Sequence, residues 1–311
     1  MIKNYVLTIV TLFTLMLNAQ ETETFSSEEI NAYIKQMDSI NNTFSYQRGT
    51  VQLKNGIATL KIPEGYKYLD TKQSKRVLEN LWGNPPGTTI GMLFREDENP
   101  VGVNLTYAIE IEYENDGYIS DDDAKDINYE ELLKDIQDDI SKSNPERKKQ
   151  GYPTMELVDW AAPPFYDETT KKLYWAKEMK FEGEEVNTLN YNIRILGKEG
   201  YIILNAIGDM SVFEAFNKNK DEIIASVTFN KGNKYSDFNS KTDKIAAYGI
   251  GGLIAGKVLA KAGFFAVIIK FGKFILIGFL AFFGKIKRMI FGAKENHDNT
   301  SITKRDTTQD I

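Results

Sequence analysis

Hydrophobic and polar positions change their period several times along this chain, and each change marks an element. Residues 27–43 keep a helical period through Ile30, Ile34 and Met37, and Ser26 with Glu29 has the spacing of a capping box. An amphipathic helix leading into a domain is predicted there. The period then drops to two. Val51-Gln52-Leu53 and Ile57-Ala58-Thr59-Leu60-Lys61-Ile62 flank Asn55-Gly56, a pair suited to the left-handed turn of a hairpin. Pro63-Glu64-Gly65 closes that ribbon. A helix follows at 72–81, stopped by Gly83-Asn84-Pro85-Pro86-Gly87. Strands are predicted at 89–95 and 101–114. An acidic helix comes next at 121–141, ending near Asn144-Pro145, and then strands at 155–160 and 172–182. The cleanest alternation covers 188–196 and 201–207, on either side of a turn at 197–200. A helix at 211–225 and a short strand at 227–229 complete the pattern. Hairpins interleaved with helices, without an internal repeat, predict an α+β domain: an antiparallel sheet flanked by helices.

The two ends follow a different rule. Residues 1–19 hold Lys3, an apolar run over 5–17 and Ala19, the layout of a cleavable export signal. Residues 245–284 are almost all apolar or small, and Lys285, Lys287 and Arg288 follow at once. The stretch 262–284 is long enough to span a bilayer, although Lys270 and Lys273 sit inside it. Its large apolar residues favour insertion by roughly 6 kcal/mol, and two central lysines oppose it by about 5 to 6. Snorkelling, the apolar run before it, or association of several helices would tip that balance. Gly252 and Gly256 form a small-xxx-small pair suited to close helix approach. Two topologies fit: one span with the basic cluster inside, or a hairpin over 246–269 and 274–291. Charge asymmetry favours the single span.

The predicted organisation is therefore an export signal (1–19), a helical lead-in (20–44) and an exported α+β domain (45–236). A polar linker (237–244), a membrane anchor (245–291) and a polar disordered tail (292–311) follow.

Composition narrows the chemistry. Cysteine is absent, and the single histidine, His297, lies in the polar tail. Thiolate nucleophiles, disulfides, histidine bases and His or Cys zinc sites are thus unavailable to the domain. A formal charge of −6 argues against nucleic acid as a partner. Serine–lysine pairs or paired carboxylates remain for catalysis. Asp209 is a candidate base, in a position that equally suits the cap of the helix after it.

Three sets of residues are candidates for binding. Counting from Glu112, Glu114 stands third, Asp116 fifth, Gly117 sixth, Ser120 ninth and Asp123 twelfth, a spacing that approximates a calcium loop. Glutamates at the first and third places, and an aspartate at the twelfth, depart from that pattern. The other reading is a strand running into a turn and an acidic helix start. No cofactor is expected, unless this loop takes calcium. Second, Trp82 with Asn84, and Trp160 with Tyr166, lie in aromatic, proline-rich segments that suit ligand-binding loops if exposed, or core plugs if buried. Third, Lys257, Lys261, Lys270 and Lys273 would line a polar seam if several membrane segments associate.

A set of longer motifs carries a resemblance. These are Tyr46-Gln47-Arg48-Gly49, Asn55-Gly56-Ile57-Ala58-Thr59-Leu60, Leu81-Trp82-Gly83-Asn84-Pro85-Pro86-Gly87, Asp116-Gly117-Tyr118, Gly151-Tyr152-Pro153, Leu173-Tyr174-Trp175-Ala176-Lys177 and Thr188-Leu189-Asn190-Tyr191-Asn192. In this order they resemble a bacterial family of membrane-anchored proteins with domain of unknown function 2167, over residues 45–290. The resemblance implies an envelope protein with an exported domain and a C-terminal anchor; it brings no activity. The opening hairpin and the closing strand–strand–helix–strand also look like a PsbP-like α/β/α sandwich, an analogy of fold alone. The expectation is a non-enzymatic binding or scaffold module outside the cytoplasmic membrane. Its partners would be the lipid bilayer and an envelope protein or peptide, with oligomers formed through the membrane segment. An envelope hydrolase and an oligomeric membrane segment with a transport role are the alternatives.

Overall fold

The protein is described by a computed structural model, which covers residues 27–256 except 85, 103 and 150. The expected export signal, the span at 262–284 and the four anchor lysines lie outside the described residues. Within them, no helix is long and apolar enough to cross a membrane.

Helix α1 (Ser27–Asn41) leads into the hairpin of β1 (Thr50–Leu53) and β2 (Ala58–Lys61). Asn55 and Gly56 take positive φ values of 58° and 86°, which is why that pair makes the turn. Strand β10 (Val227–Phe229) joins β2, giving a three-stranded antiparallel sheet. The larger sheet contains β3 (Tyr66–Asp70), β4 (Thr89–Arg95), β5 (Tyr107–Glu114), β6 (Met155–Asp167), β7 (Lys172–Phe181), β8 (Thr188–Leu196) and β9 (Tyr201–Asp209). Its order is β3-β4-β5-β9-β8-β7-β6, antiparallel throughout. Helix α2 (Thr71–Lys75) runs into a wider turn at Arg76–Leu81; α3 (Tyr129–Lys149), α4 (Phe213–Ala225) and α5 (Ile250–Ala255) complete the fold.

The α+β reading holds, with local corrections. Strand β3 replaces an expected connection, and β5 begins at Tyr107 because buried Glu98 accepts from Thr106 N at 3.1 Å and holds the residues just before the strand in a loop. Helix α3 starts eight residues later than predicted, at the point where Asn128 Oδ1 accepts from the amides of Glu130 and Glu131. It also continues through Pro145, held beyond it by buried Arg147, whose guanidinium donates to Pro153 O at 2.8 and 3.0 Å. Tertiary contacts there override a helix-stopping proline. Trp160-Ala161-Ala162-Pro163-Pro164-Phe165-Tyr166 lies within β6 and is not a loop. Strand β6 sits at the sheet edge with repeated register shifts, the place in a sheet that tolerates proline.

One face of the large sheet packs on the small sheet and α4, through Ile109, Ile111, Tyr191, Ile193 and Leu204 against Leu60, Phe216, Ile223 and Phe229. The other face is covered in two pieces. Around Met92, Phe94 and Ile207 it meets α1 and the Arg76–Leu81 turn; around Leu173, Trp175 and Ile203 it meets α3 and α5. Between those two covers the sheet is polar. Direct register partners run Trp175–Asn192–Asn205–Glu110 across β7, β8, β9 and β5, with Arg194 and Glu112 in the neighbouring rows. A sheet buried on both faces is expected to be apolar in its central strands, so this belt is the departure that needs explaining.

Candidate functional site

The belt and the segment beside it form the most unusual chemistry in the described residues. Arg194 is buried, lies over the Trp175 ring at 5.1 Å, and donates to Ile193 O at 3.0 Å and Asn205 Oδ1 at 3.1 Å. Burial lowers the Arg194 pKa, while Tyr201, Glu112 and Glu114 partly restore it through their charges. Asn192 Nδ2 donates to Asn190 Oδ1 at 2.6 Å, and Glu112 Oε2 accepts from Thr88 Oγ1 at 3.1 Å. Trp175 Nε1 is buried and has no hydrogen-bond partner among the described residues.

A C-terminal strap, residues 244–256, lies against this end of the sheet. Tyr118 N donates to Lys244 O at 2.8 Å and Ala246 N donates to Tyr118 O at 2.8 Å, a short parallel pairing. Tyr248 OH donates to Asp116 and approaches Tyr201 OH at 3.3 Å. Asp123 then caps α5, accepting from Ile250 N at 2.8 Å and Gly251 N at 3.0 Å. Ile250, Leu253 and Ile254 are buried below. The turn needs glycine at 117: its φ is +106°, and a Cβ there would stand 2.7 Å from Lys244 O.

Asp121 anchors the same loop from behind. It accepts from Lys171 Nζ at 2.6 Å, Tyr166 OH at 2.6 Å and Tyr235 OH at 2.8 Å. Burial pushes its pKa up, but those three hydrogen bonds outweigh burial and the Asp121 carboxyl sits below its ordinary value. Lys171 lies 4.9 Å from the Tyr235 ring, and Tyr118 stacks on Phe238 at 3.8 Å. Burial, followed by the hydrogen bond to Asp121, raises the Tyr166 pKa; burial also raises that of Tyr235.

These contacts correct several sequence expectations. Glu112, Glu114, Asp116, Ser120 and Asp123 do not converge on one point. Glu112 is buried on the sheet, Ser120 Oγ bonds Asp122 Oδ2 at 2.7 Å, and Asp116 and Asp123 hold the strap. Among the described residues no group of three or more acidic or histidine side chains could hold a metal. The spacing that approximates a calcium loop arises because alternate residues leave a strand and turn back on the C-terminal segment. Residues 237–244, expected as a plain linker, are tied down by the ion pair of Lys198 with Asp243 at 3.4 Å and by the Tyr118 pairing. The first residues of the expected anchor, 245–256, pack on the domain, with Ile250, Leu253 and Ile254 buried in its core. Gly252, expected to favour helix–helix approach, packs against the Tyr248 side chain of its own segment.

The aromatic candidates separate. Trp82 is a core residue, with Nε1 donating to Pro100 O at 2.9 Å and its ring edge-on to Phe94 at 6.3 Å. Asn84 N closes the preceding turn on Leu78 O at 2.7 Å. Trp160 is half-buried, with Nε1 on Tyr129 O at 3.2 Å, while Tyr166 belongs to the Asp121 cluster. The width of the sheet keeps Trp82 and Trp160 apart, so they make no common surface. Asp209 Oδ1 accepts from Ser211 N at 2.7 Å, which makes it the cap of the turn before α4. Sequence reasoning missed the belt, although polar residues at alternate positions of 188–196, facing Glu110 and Glu112, carried its signal.

Known proteins add a family and a distant likeness. No curated protein matches the chain. Among solved structures, cyanobacterial PsbP from Synechocystis sp. PCC 6803 is similar over 60% of this chain and 93% of that one, at 9% identity and a TM-score of 0.35. The Saccharomyces cerevisiae Ran-binding protein Mog1p is similar over 63% of this chain and 100% of that one, at 12% identity and a TM-score of 0.33. At those scores neither likeness bears on function. The match that counts covers residues 45–284, and by it this chain belongs to the family described as "Protein of unknown function (DUF2167)".

Proposed function

We propose that this protein is a membrane-tethered binding or scaffold module of the bacterial envelope, with its α+β domain outside the cytoplasmic membrane. One observation supports the reading most: the strap that docks on the domain leads without a break in sequence into the apolar run that ends at Gly284. Docking of residues 244–256 fixes the point at which the chain leaves the folded domain. A free polar linker would leave it undefined. The domain would then present a fixed face to its partner at a fixed height above the bilayer. Export rests on the N-terminal signal layout, and the absence of cysteine and the tail position of His297 leave thiol and imidazole chemistry out of the domain.

The lack of native cysteine gives a clean test. Ser141 is exposed on α3, so a Ser141→Cys variant offers a single labelling site. Intact spheroplasts treated with a membrane-impermeant maleimide should label it fully. Labelling only after lysis would place the domain inside and overturn the proposal.

A further inference from the structure

The opposite end of the large sheet carries a second feature, built without any residue of the strap. Strand β1 faces β3, the start of β4 and the β3–α2 junction across a groove of about 790 Å3. Its floor is buried Leu53, Tyr68 and Ile90; its rim is exposed Gln47, Thr50 and Asn55, together with Gln52, which bonds Thr59 and Asn230, and Thr88, which bonds Glu112. Lys54 and Lys75 line it against a single carboxylate among the described residues, Asp70. That carboxylate is engaged, since its Oδ1 accepts from Gln73 N at 2.9 Å as the cap of α2. Nearby Arg48 is paired with Glu96, and Lys67 is buried against Glu96 O and Asn99 Oδ1, so Lys54 and Lys75 carry the positive charge of the groove. The rim is also strained: Lys54, Asn55 and Gly56 follow one another at φ 44°, 58° and 86°, and only glycine takes that region freely.

We propose that this groove binds an acidic glycan. Amide and hydroxyl side chains both donate and accept, as sugar hydroxyls do, and two ammonium groups supply counter-charges for carboxylates along a sugar chain. The only aromatic side chain in the lining, Tyr68, is buried and donates its hydroxyl to Ile90 O at 2.8 Å. No stacking platform is therefore offered, which disfavours single-stranded nucleic acid. Affinity then comes from charge and hydrogen bonds, so it is weak and salt-sensitive. The groove shares no lining residue with the strap, and it meets the belt where the rim residue Thr88 donates to Glu112 Oε2 at 3.1 Å.

The test titrates full-length protein in a zwitterionic detergent with tri-galacturonate, following thermophoresis. Binding should weaken as salt rises, and should fall about five- to tenfold in a Lys54→Gln/Lys75→Gln variant. It should be unchanged in a Lys148→Gln/Lys149→Gln control at the far end of α3. The methyl ester of the same oligosaccharide, with its charges removed, should not bind. Equal binding of the ester, or binding indifferent to Lys54 and Lys75, would overturn the proposal. So would displacement by an equal concentration of inorganic phosphate, which would mark a simple ion site. Phosphatidylglycerol vesicles captured through the same lysines, with no oligosaccharide binding, would reassign the face to lipid.

Discussion

The two ends of the large sheet solve opposite problems with opposite charge. At the strap end, residues 121–139 hold nine Asp/Glu against two Lys, a net −7. Yet Asp121 and Asp123, with nearby Asp116, are spent on internal hydrogen bonds that fix the loop and the C-terminal segment. At the groove end, Lys54 and Lys75 line a hollow whose one carboxylate serves as a helix cap. Carboxylates satisfied by the protein's own donors are structural; cations with no such claim on them are open to a ligand. Charge alone does not mark a site, and what each charge already touches decides.

That contrast can be broken most forcefully at Asp121. Asp121→Ala strands three donors and should lower unfolding free energy by about 2–4 kcal/mol in urea denaturation. The same carboxyl gives a pH signature. Its pKa is depressed in the folded protein, so its stabilisation is complete above the unfolded value of about 3.9 and is lost as pH falls through the lower folded value. Stability of the wild type should therefore fall more steeply below about pH 4 than that of Asp121→Asn. Equal slopes would show that the cluster does not hold the proton balance assigned to it.

Next in size is Gly117→Ala, which forces a side chain into a left-handed residue facing Lys244 O; a loss of about 1–3 kcal/mol is expected by thermal or urea unfolding. Asp123→Ala removes the α5 cap at a cost of about 1 kcal/mol, and its effect should be local. Trypsin cleavage after exposed Lys244 should accelerate about fivefold, with cleavage after Lys54 unchanged. Acceleration at both sites would mean that the strap and the groove share one cooperative unit. The smallest effect is expected at the groove: in Lys54→Gly, relief of the positive φ and the added freedom of the unfolded chain offset each other to within about 0.5 kcal/mol. A loss well beyond 1 kcal/mol in chemical unfolding would show that the lysine side chain is structural, and would weaken the case for a ligand there.

Much of this architecture was legible in the chain. Alternation over 188–196 and 201–207 located β8 and β9 because both pack on a core, and the Asn55-Gly56 pair placed the first hairpin through its tolerance of positive φ. Strand β3 was not legible: Tyr66–Asp70 is only five residues long and directly precedes a helix, too short for a period to register. Pro145 misled for a related reason, since the anchor that keeps α3 going is Arg147 on Pro153 O, a contact no local pattern displays. The candidate sites divided along the same line. Residue types were visible, but not which of them met.

The sequence by itself determined the fold class, the exclusion of thiol and imidazole chemistry from the domain, and the position of the long apolar run. These depend on composition and on periods of two and 3.6, which are properties of neighbours along the chain. Only the tertiary structure decided that an apparent metal loop is a clamp, that residues 244–256 belong to the domain, and that Lys54 and Lys75 share one groove. Those outcomes depend on which side chains meet across long loops, and hydrogen bonds between residues more than a hundred positions apart leave no spacing to read.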